Sequence, residues 1–165
     1  MKKYSKYIIL CLALVGVDQY SKQLAIQHLG QGQMYGVFDN FFRLIFARNP
    51  GAWGSLGSNW PSPLKEISLI LIPILVLGYL VYILFSNKSN NLEKWSYTLI
   101  LAGGVGNLID RIKDGSVVDM FWFGFEKYRY LQTNIFNLAD VFVMVGVGFL
   151  LLNYFREKKL EKAKS

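Results

Sequence analysis

Four apolar blocks separated by polar segments leave this chain little choice of fold. They cover residues 7–17 (resuming at 24–26), 67–85, 95–109 and 136–155. A hydrocarbon core of ~30 Å takes about 20 residues of helix. The second and fourth blocks meet that length alone, and the first and third meet it if the helix continues through polar residues. The pattern predicts an all-α membrane protein with four transmembrane helices over about 7–29, 64–86, 95–112 and 135–155. Two segments, about 30–63 and 113–134, then lie on the outer side, and a tail, 156–165, lies on the cytoplasmic side. A chain of 165 residues is one domain by length.

The formal charge of +7 would suit a nucleic-acid surface, but its placement points elsewhere. Lys2, Lys3 and Lys6 precede the first block, Lys88 and Lys94 lie between the second and third, and Arg156, Lys158, Lys159, Lys162 and Lys164 follow the fourth. Those regions share one side of a four-pass chain, which is the positive-inside asymmetry and puts both termini in the cytoplasm. No nucleic-acid partner is expected. Cys11 and His28 are the only residues of their kinds, so neither an internal disulfide nor a Cys/His zinc site is available. The first block resembles a secretory signal peptide in charge and length but lacks an A-x-A-like cleavage site. An uncleaved helix is the expectation.

Within this apolar frame, residues 101–140 carry Asn107, Asp110, Arg111, Asp119, Asn137 and Asp140. Ionisable groups in a bilayer cost at least ~2.5 kcal/mol each at its centre, so such residues are read as functional. Asn107 and Arg111 are four apart on one helix face, and Asn137 and Asp140 are three apart on another. Asp18 and Lys22 share a face of the first helix with the acid N-terminal, the better orientation for a pair. A structural role for that pair and a direct catalytic one both stay open. Gly103, Gly104 and Gly106 read as a close-packing face, and Pro73 as a kink in the second helix.

The first outer segment pairs aromatic and β-branched stretches, Met34-Tyr-Gly-Val-Phe38 and Phe41-Phe-Arg-Leu-Ile-Phe46, around Asp39-Asn40, which predicts a hairpin. Arg48-Asn-Pro-Gly-Ala-Trp-Gly-Ser55 is too rich in Gly and Pro for a regular element. There Asn49 offers a directed amide beside an open backbone at Gly51, and Trp53 suits a membrane interface. The second outer segment, with Phe121-Trp-Phe-Gly-Phe125 and Tyr128-Arg-Tyr130, predicts an interfacial amphipathic helix or flap.

Asp119 and Asp140 fall at the same level, the outer interface. If they meet, they form a pair sharing one proton, because two close carboxylates resist joint ionisation. Such a pair hydrolyses an amide without metal: one carboxylate takes a proton from water, and the protonated partner donates to the carbonyl oxygen. Proton relay in a small transporter, a presenilin-like protease and an assembly subunit are the competing readings. Against the first two stand the lack of an internal repeat, the clustering of the acids at one interface, and the absence of a glycine-aspartate motif after Val105.

Five stretches together resemble the lipoprotein signal peptidase (signal peptidase II) family: Asp18-Gln-Tyr-Ser-Lys22, Asn49-Pro-Gly-Ala-Trp53, Gly103-Gly-Val-Gly-Asn-Leu-Ile-Asp-Arg111, Val117-Val-Asp119 and Phe136-Asn-Leu-Ala-Asp140. The resemblance implies an aspartic endopeptidase of the bacterial cell membrane with its site at the outer interface. It implies Asp119 and Asp140 as catalytic dyad, Asn49, Gly51, Asn107, Arg111 and Asn137 lining the substrate, and Asp18 and Lys22 in support. It further implies a small external β-platform, no cofactor or metal, and diacylglyceryl-modified prolipoprotein substrates cut just before the lipidated cysteine. Membrane lipids are the other partners. A monomer suffices, since one chain holds both acids. Met120 departs from the family's phenylalanine, and the aromatic run 121–130 is unusually rich; it is expected to grip acyl chains or shield the site.

Overall fold

Each apolar block becomes a helix longer than the block itself, because a backbone in lipid has no water to satisfy its polar groups and must close its own hydrogen bonds. The structure, a computed structural model, describes residues 2–30, 33–86, 89–125 and 127–162. Its helices are α1 (Lys2–His28), α2 (Ser62–Phe85), α3 (Asn91–Asp114) and α4 (Leu138–Lys162). Three of them, α1 from Tyr4, α2 and α4, are long and apolar enough to cross a membrane. With 24 residues, α3 has the length as well, about 36 Å at ~1.5 Å per residue, but charges crowd both of its ends. It starts at a capping box in which Asn90 and Glu93 satisfy each other's backbone N–H, four residues ahead of the expected start. The last helix begins at Leu138 instead of Ile135 and runs on through Lys162, so most of the predicted tail is helix. A π-turn at Ile67–Leu71 precedes Pro73 in α2, where the missing N–H and the ring disturb the regular ladder.

Contacts at one end of the bundle bring together both termini and the α2–α3 turn. The Tyr4 hydroxyl donates to the Phe85 carbonyl (3.2 Å), Tyr7 to Asn91 Oδ1 (3.4 Å), and Asn90 Nδ2 to both Asn153 and Glu157 (3.1 Å each). Of the cations counted on this side, Lys94 is buried against the Tyr4 ring. Lys88, Lys164 and the side chains of Lys2 and Lys3 lie outside the described residues.

The opposite end carries a four-stranded antiparallel sheet, β1 (Met34–Val37), β2 (Phe42–Asn49), β3 (Val117–Phe125) and β4 (Tyr128–Gln132), in that spatial order. The predicted hairpin is β1–β2, turning through Phe38, Asp39 and Asn40 at positive φ. The aromatic segment, however, is neither an interfacial helix nor a flap. It forms β3, paired along β2 with Arg43 opposite Trp122 and Ala47 opposite Asp119, and β4, so the fold is mostly helical with an external sheet larger than the single hairpin read from the sequence. Arg48 and Asn49, expected in an irregular loop, close β2.

Burial is inverted relative to a water-soluble protein. Ile9, Leu12, Leu75, Tyr82, Met144 and Leu152 are among many exposed apolar side chains on the helices, while Asp18, Lys22, Ser96, Thr98, Asp110 and Asn137 are buried. The apolar core is correspondingly small. One cluster joins Tyr7, Leu77, Leu84 and Leu101 between α1, α2 and α3. The other joins Ala25 and Leu29 to Val118 and Met120, seating the sheet on the end of α1. Met120 is therefore a packing residue, which explains why methionine serves where an aromatic side chain is expected.

The glycines of α3 do pack closely. A Cβ at Gly103 would collide with the Ala139 carbonyl and with Val143 of α4, so the two helices meet backbone to backbone. Gly103→Ala is expected to destabilise the protein by about 1–3 kcal/mol, read as a lowered melting temperature in detergent. An unchanged melting temperature would contradict this packing.

Candidate active site

Asp119 lies near the start of β3 and is almost fully buried, and Asp140 lies in the first turn of α4. One asparagine ties them together. Asn137, wholly buried, donates from Nδ2 to Asp119 Oδ1 (2.7 Å). Its Oδ1 accepts from the Asp140 backbone N–H (3.0 Å), and its own N–H donates to Asp140 Oδ2 (3.1 Å). This reciprocal arrangement has capping-box geometry, with Asp140 at the third helical position. The helix N-terminus that it caps favours negative charge at Asp140.

The amide of Asn107 has only one workable orientation. Its Oδ1 accepts from Lys22 Nζ (2.9 Å), a group that only donates, and from Asn137 Nδ2 (3.0 Å). Asn107 Nδ2 therefore faces the dyad and donates to Asp140 Oδ1 (2.8 Å). Each carboxylate thus has one oxygen pinned by an asparagine from a neighbouring element.

Beneath the dyad lies a buried ionic cluster. Lys22 Nζ sits 2.8 Å from Asp18 Oδ2 and 3.0 Å from Asp110 Oδ2. Asp18 Oδ1 accepts the Ala139 backbone N–H of α4 (2.9 Å), and Asp110 Oδ2 accepts the Val118 N–H of β3 (3.1 Å). Gln19 Nε2 bridges to Asp110 Oδ1 (2.9 Å) and to the Gly106 carbonyl (3.0 Å). Those two carboxylates grip the backbone next to each proposed catalytic residue, since Val118 precedes Asp119 and Ala139 precedes Asp140. Buried charges are stable only when paired and fully hydrogen-bonded, and this cluster meets that condition through residues of α1, α3, α4 and β3.

Arg111 reaches away from its sequence neighbour Asp110. Its Nη2 donates to the Gly51 carbonyl (3.1 Å), while its Nε is buried with no protein partner. Asp110, the carboxylate expected beside it, pairs with Lys22. Gly51 sits in a tight turn closed by Asn49, whose Oδ1 accepts the Gly51 N–H (3.0 Å) and whose Nδ2 donates to the Ala52 carbonyl (3.2 Å). A Cβ on Gly51 would come within 2.5 Å of the Leu56 carbonyl, so glycine is required there. The Trp53 side chain lies outside the described residues.

Every site residue named from the sequence is therefore in or beside one constellation. Gln19 and the Ala139 backbone went unmarked, though Gln19 adjoins Asp18 in the same stretch. Trp122 went unmarked as a wall residue: it is buried under Arg43, whose guanidinium stacks 4.6 Å above its ring. Among the described aromatic side chains of the sheet and its β1–β2 turn, Tyr35, Phe38, Phe41, Phe125, Tyr128 and Tyr130 are exposed.

Asp119 opens into a cleft of about 510 Å³ between β2, β3 and the 132–135 segment. Burial, and then the negative charge of Asp140, push the Asp119 carboxyl up to about 6, while the amides of Asn137 and Asn49 pull the other way. A carboxyl that titrates near 6, close to a second carboxylate and open to a cleft, is equipped for general acid–base chemistry.

The model of the family described as signal peptidase (SPase) II matches residues 10–156. The lipoprotein signal peptidase of Borreliella afzelii is 36% identical over 162 residues, 96% of this chain and 95% of that protein. That of Fusobacterium nucleatum is 33% identical, over 94% of this chain and 91% of that protein. Two solved structures, each described as a bacterial membrane enzyme, superpose with TM-scores of 0.81 and 0.77 at 27% identity, covering 93% and 90% of this chain and 89% and 92% of theirs. Sequence and fold agree over nearly the whole length, and the chain belongs to the signal peptidase II family.

Proposed function

We propose that this peptidase is an aspartic endopeptidase that releases the signal peptide from diacylglyceryl-modified prolipoproteins, cutting just before the lipidated cysteine. The observation that carries the reading is the bracketing of Asn137 by Asp119 and Asp140, two carboxyls held from different elements, the first of which lines a cleft. The ionised member removes a proton from water, which attacks the scissile carbonyl. The protonated member donates to the carbonyl oxygen as the tetrahedral intermediate forms, and the amine of the cysteine leaves with a proton returned from the dyad. Burial raises the Asp119 carboxyl to about 6, so it carries a proton below that pH. Asn49, Gly51 and Arg111 fix the loop along which an extended peptide backbone lies.

In this reading all four helices span the bacterial inner membrane. Both termini face the cytoplasm, and the sheet rests on the outer surface, with its exposed aromatics at the headgroup level. A lipid-anchored substrate then reaches the dyad by lateral diffusion, and the protein works as a monomer. The test offers purified enzyme in detergent two peptides of one sequence, one carrying a diacylglyceryl cysteine and one a free cysteine. Cleavage before the cysteine of the lipidated peptide is expected, at least 10²-fold faster than that of the free-cysteine peptide, since remote binding energy is expressed in the transition state. No cleavage of either peptide would remove the reading, and equal rates would remove the lipid requirement.

A further inference from the structure

The cleft beside Asp119 has a polarity of its own. Arg43 and Arg48 both line it, whereas the one carboxylate among its described lining residues is Asp119. Arg43 is 7% exposed, its Nε donates to the Asn40 carbonyl (3.0 Å), and its guanidinium plane lies on the Trp122 ring. It is a cation held in place within the wall, in a partly dry setting where charge is weakly screened. Arg48 is exposed, with Asp114 at 3.6 Å and the Ser116 hydroxyl at 3.5 Å. The polar remainder of the lining, including Gln132, Thr133 and Asn134, is uncharged.

The direction of the cleft decides what enters it. It leaves the dyad on the sheet side, away from the helices. Ala47 is opposite Asp119, and Arg43 is opposite Trp122. Ala47 and Arg43 are four steps apart along a bulged β2, and their partners Asp119 and Trp122 three steps apart on β3, a span of about 10–13 Å at ~3.3 Å per residue. An extended peptide covers that distance in about four residues. On the proposed reading, the apolar signal peptide stays among the helices, and the residues after the lipidated cysteine must leave toward the sheet.

We infer that Arg43 and Arg48 form a specificity subsite for the second to fifth residues of the mature lipoprotein, which favours acidic side chains there and disfavours lysine and arginine. The inference rests on the proposed function and adds a rule for choosing among its substrates. Complementary charge and like-charge repulsion act together in such a subsite, so the contrast between acidic and basic substrates exceeds that between acidic and neutral ones.

The test uses full-length enzyme and diacylglyceryl lipopeptides that differ only at the second to fifth mature positions, carrying Glu, Gln or Lys. The expected order of kcat/KM is Glu above Gln above Lys, with about a 10-fold span between the extremes that narrows in high salt. Arg43→Gln and Arg48→Gln should each reduce the Glu-to-Lys ratio, and the pair should bring it to within about 2-fold. Because the readout is a ratio within each variant, a general loss of activity cancels. If Arg43→Gln fails to fold, Arg48→Gln and the salt dependence of the parent carry the test. Equal rates for the three peptides would overturn the inference while leaving the proposed function standing, as would a ratio unmoved by both substitutions. Failure to cleave any lipopeptide would instead defeat the proposed function, and the subsite with it.

Discussion

Asparagine at Asp119 or at Asp140 lowers kcat/KM by roughly 10²–10⁴-fold, the range that general acid–base catalysis contributes. Asp119→Asn preserves the size of the side chain and its hydrogen bond from Asn137, and Asp140→Asn keeps the bond from Asn107 while giving up the one from the Asn137 N–H, so the loss of stability is at most about 1 kcal/mol. The double variant is expected to be no slower than the poorer single one, because the two groups act as one unit. The same pair sets a pH dependence. With the Asp119 carboxyl near 6, its proton is present below that pH and lost above it, so the parent's kcat/KM falls as pH rises through about 6. Stability follows the same sign. A carboxyl raised above its ordinary 3.8 contributes stability that is fully present below 3.8 and is lost as pH climbs to about 6. Asp119→Asn removes that slope. Full activity in either single variant, measured on the lipidated peptide, would exclude the dyad.

Lys22→Met has the largest expected effect on stability. It deletes the one cation among the described residues in contact with both Asp18 and Asp110, leaving two buried carboxylates with hydrogen bonds but no counter-ion. Breaking a buried pair in this way costs about 3–5 kcal/mol. Activity falls with it, because Lys22 fixes the Asn107 amide, and through it the Asp140 carboxylate. Adding Asp110→Asn to Lys22→Met removes one stranded charge and is expected to restore part of the loss, a coupling that a double-mutant cycle reads directly. A melting temperature in detergent unchanged by Lys22→Met would show that the cluster does not hold the bundle together.

These two predictions separate roles that a sequence joins. Asp18, Lys22 and Asp110 hold the backbone beside the two proposed catalytic residues, whereas Asp119 lines the cleft and Asp140 shares Asn137 with it. The first set loses stability and activity together on substitution. The second loses mainly activity.

Much of this was legible in the chain itself. Block length determined the helices, because a bilayer admits few other ways to satisfy a backbone. Polar residues in apolar surroundings marked the site, because they are too costly to keep idle. Spacing of four placed Asp18 and Lys22 on one face, and they do pair. The fate of residues 117–125 was not legible. A strand covered on both faces shows no polar–apolar alternation, with Val117, Val118, Asp119 and Met120 all buried in succession, and its partner β2 is some seventy residues earlier in the chain. Nor were the partners of Asp110 and Arg111. Adjacent in sequence, they project about 100° apart on a helix, so one reaches Lys22 and the other Gly51. The sequence supplied the two acids. Only the tertiary structure brought them to a shared asparagine, since that meeting depends on how β3 and α4 are gripped by charges from α1 and α3, contacts that no local pattern encodes.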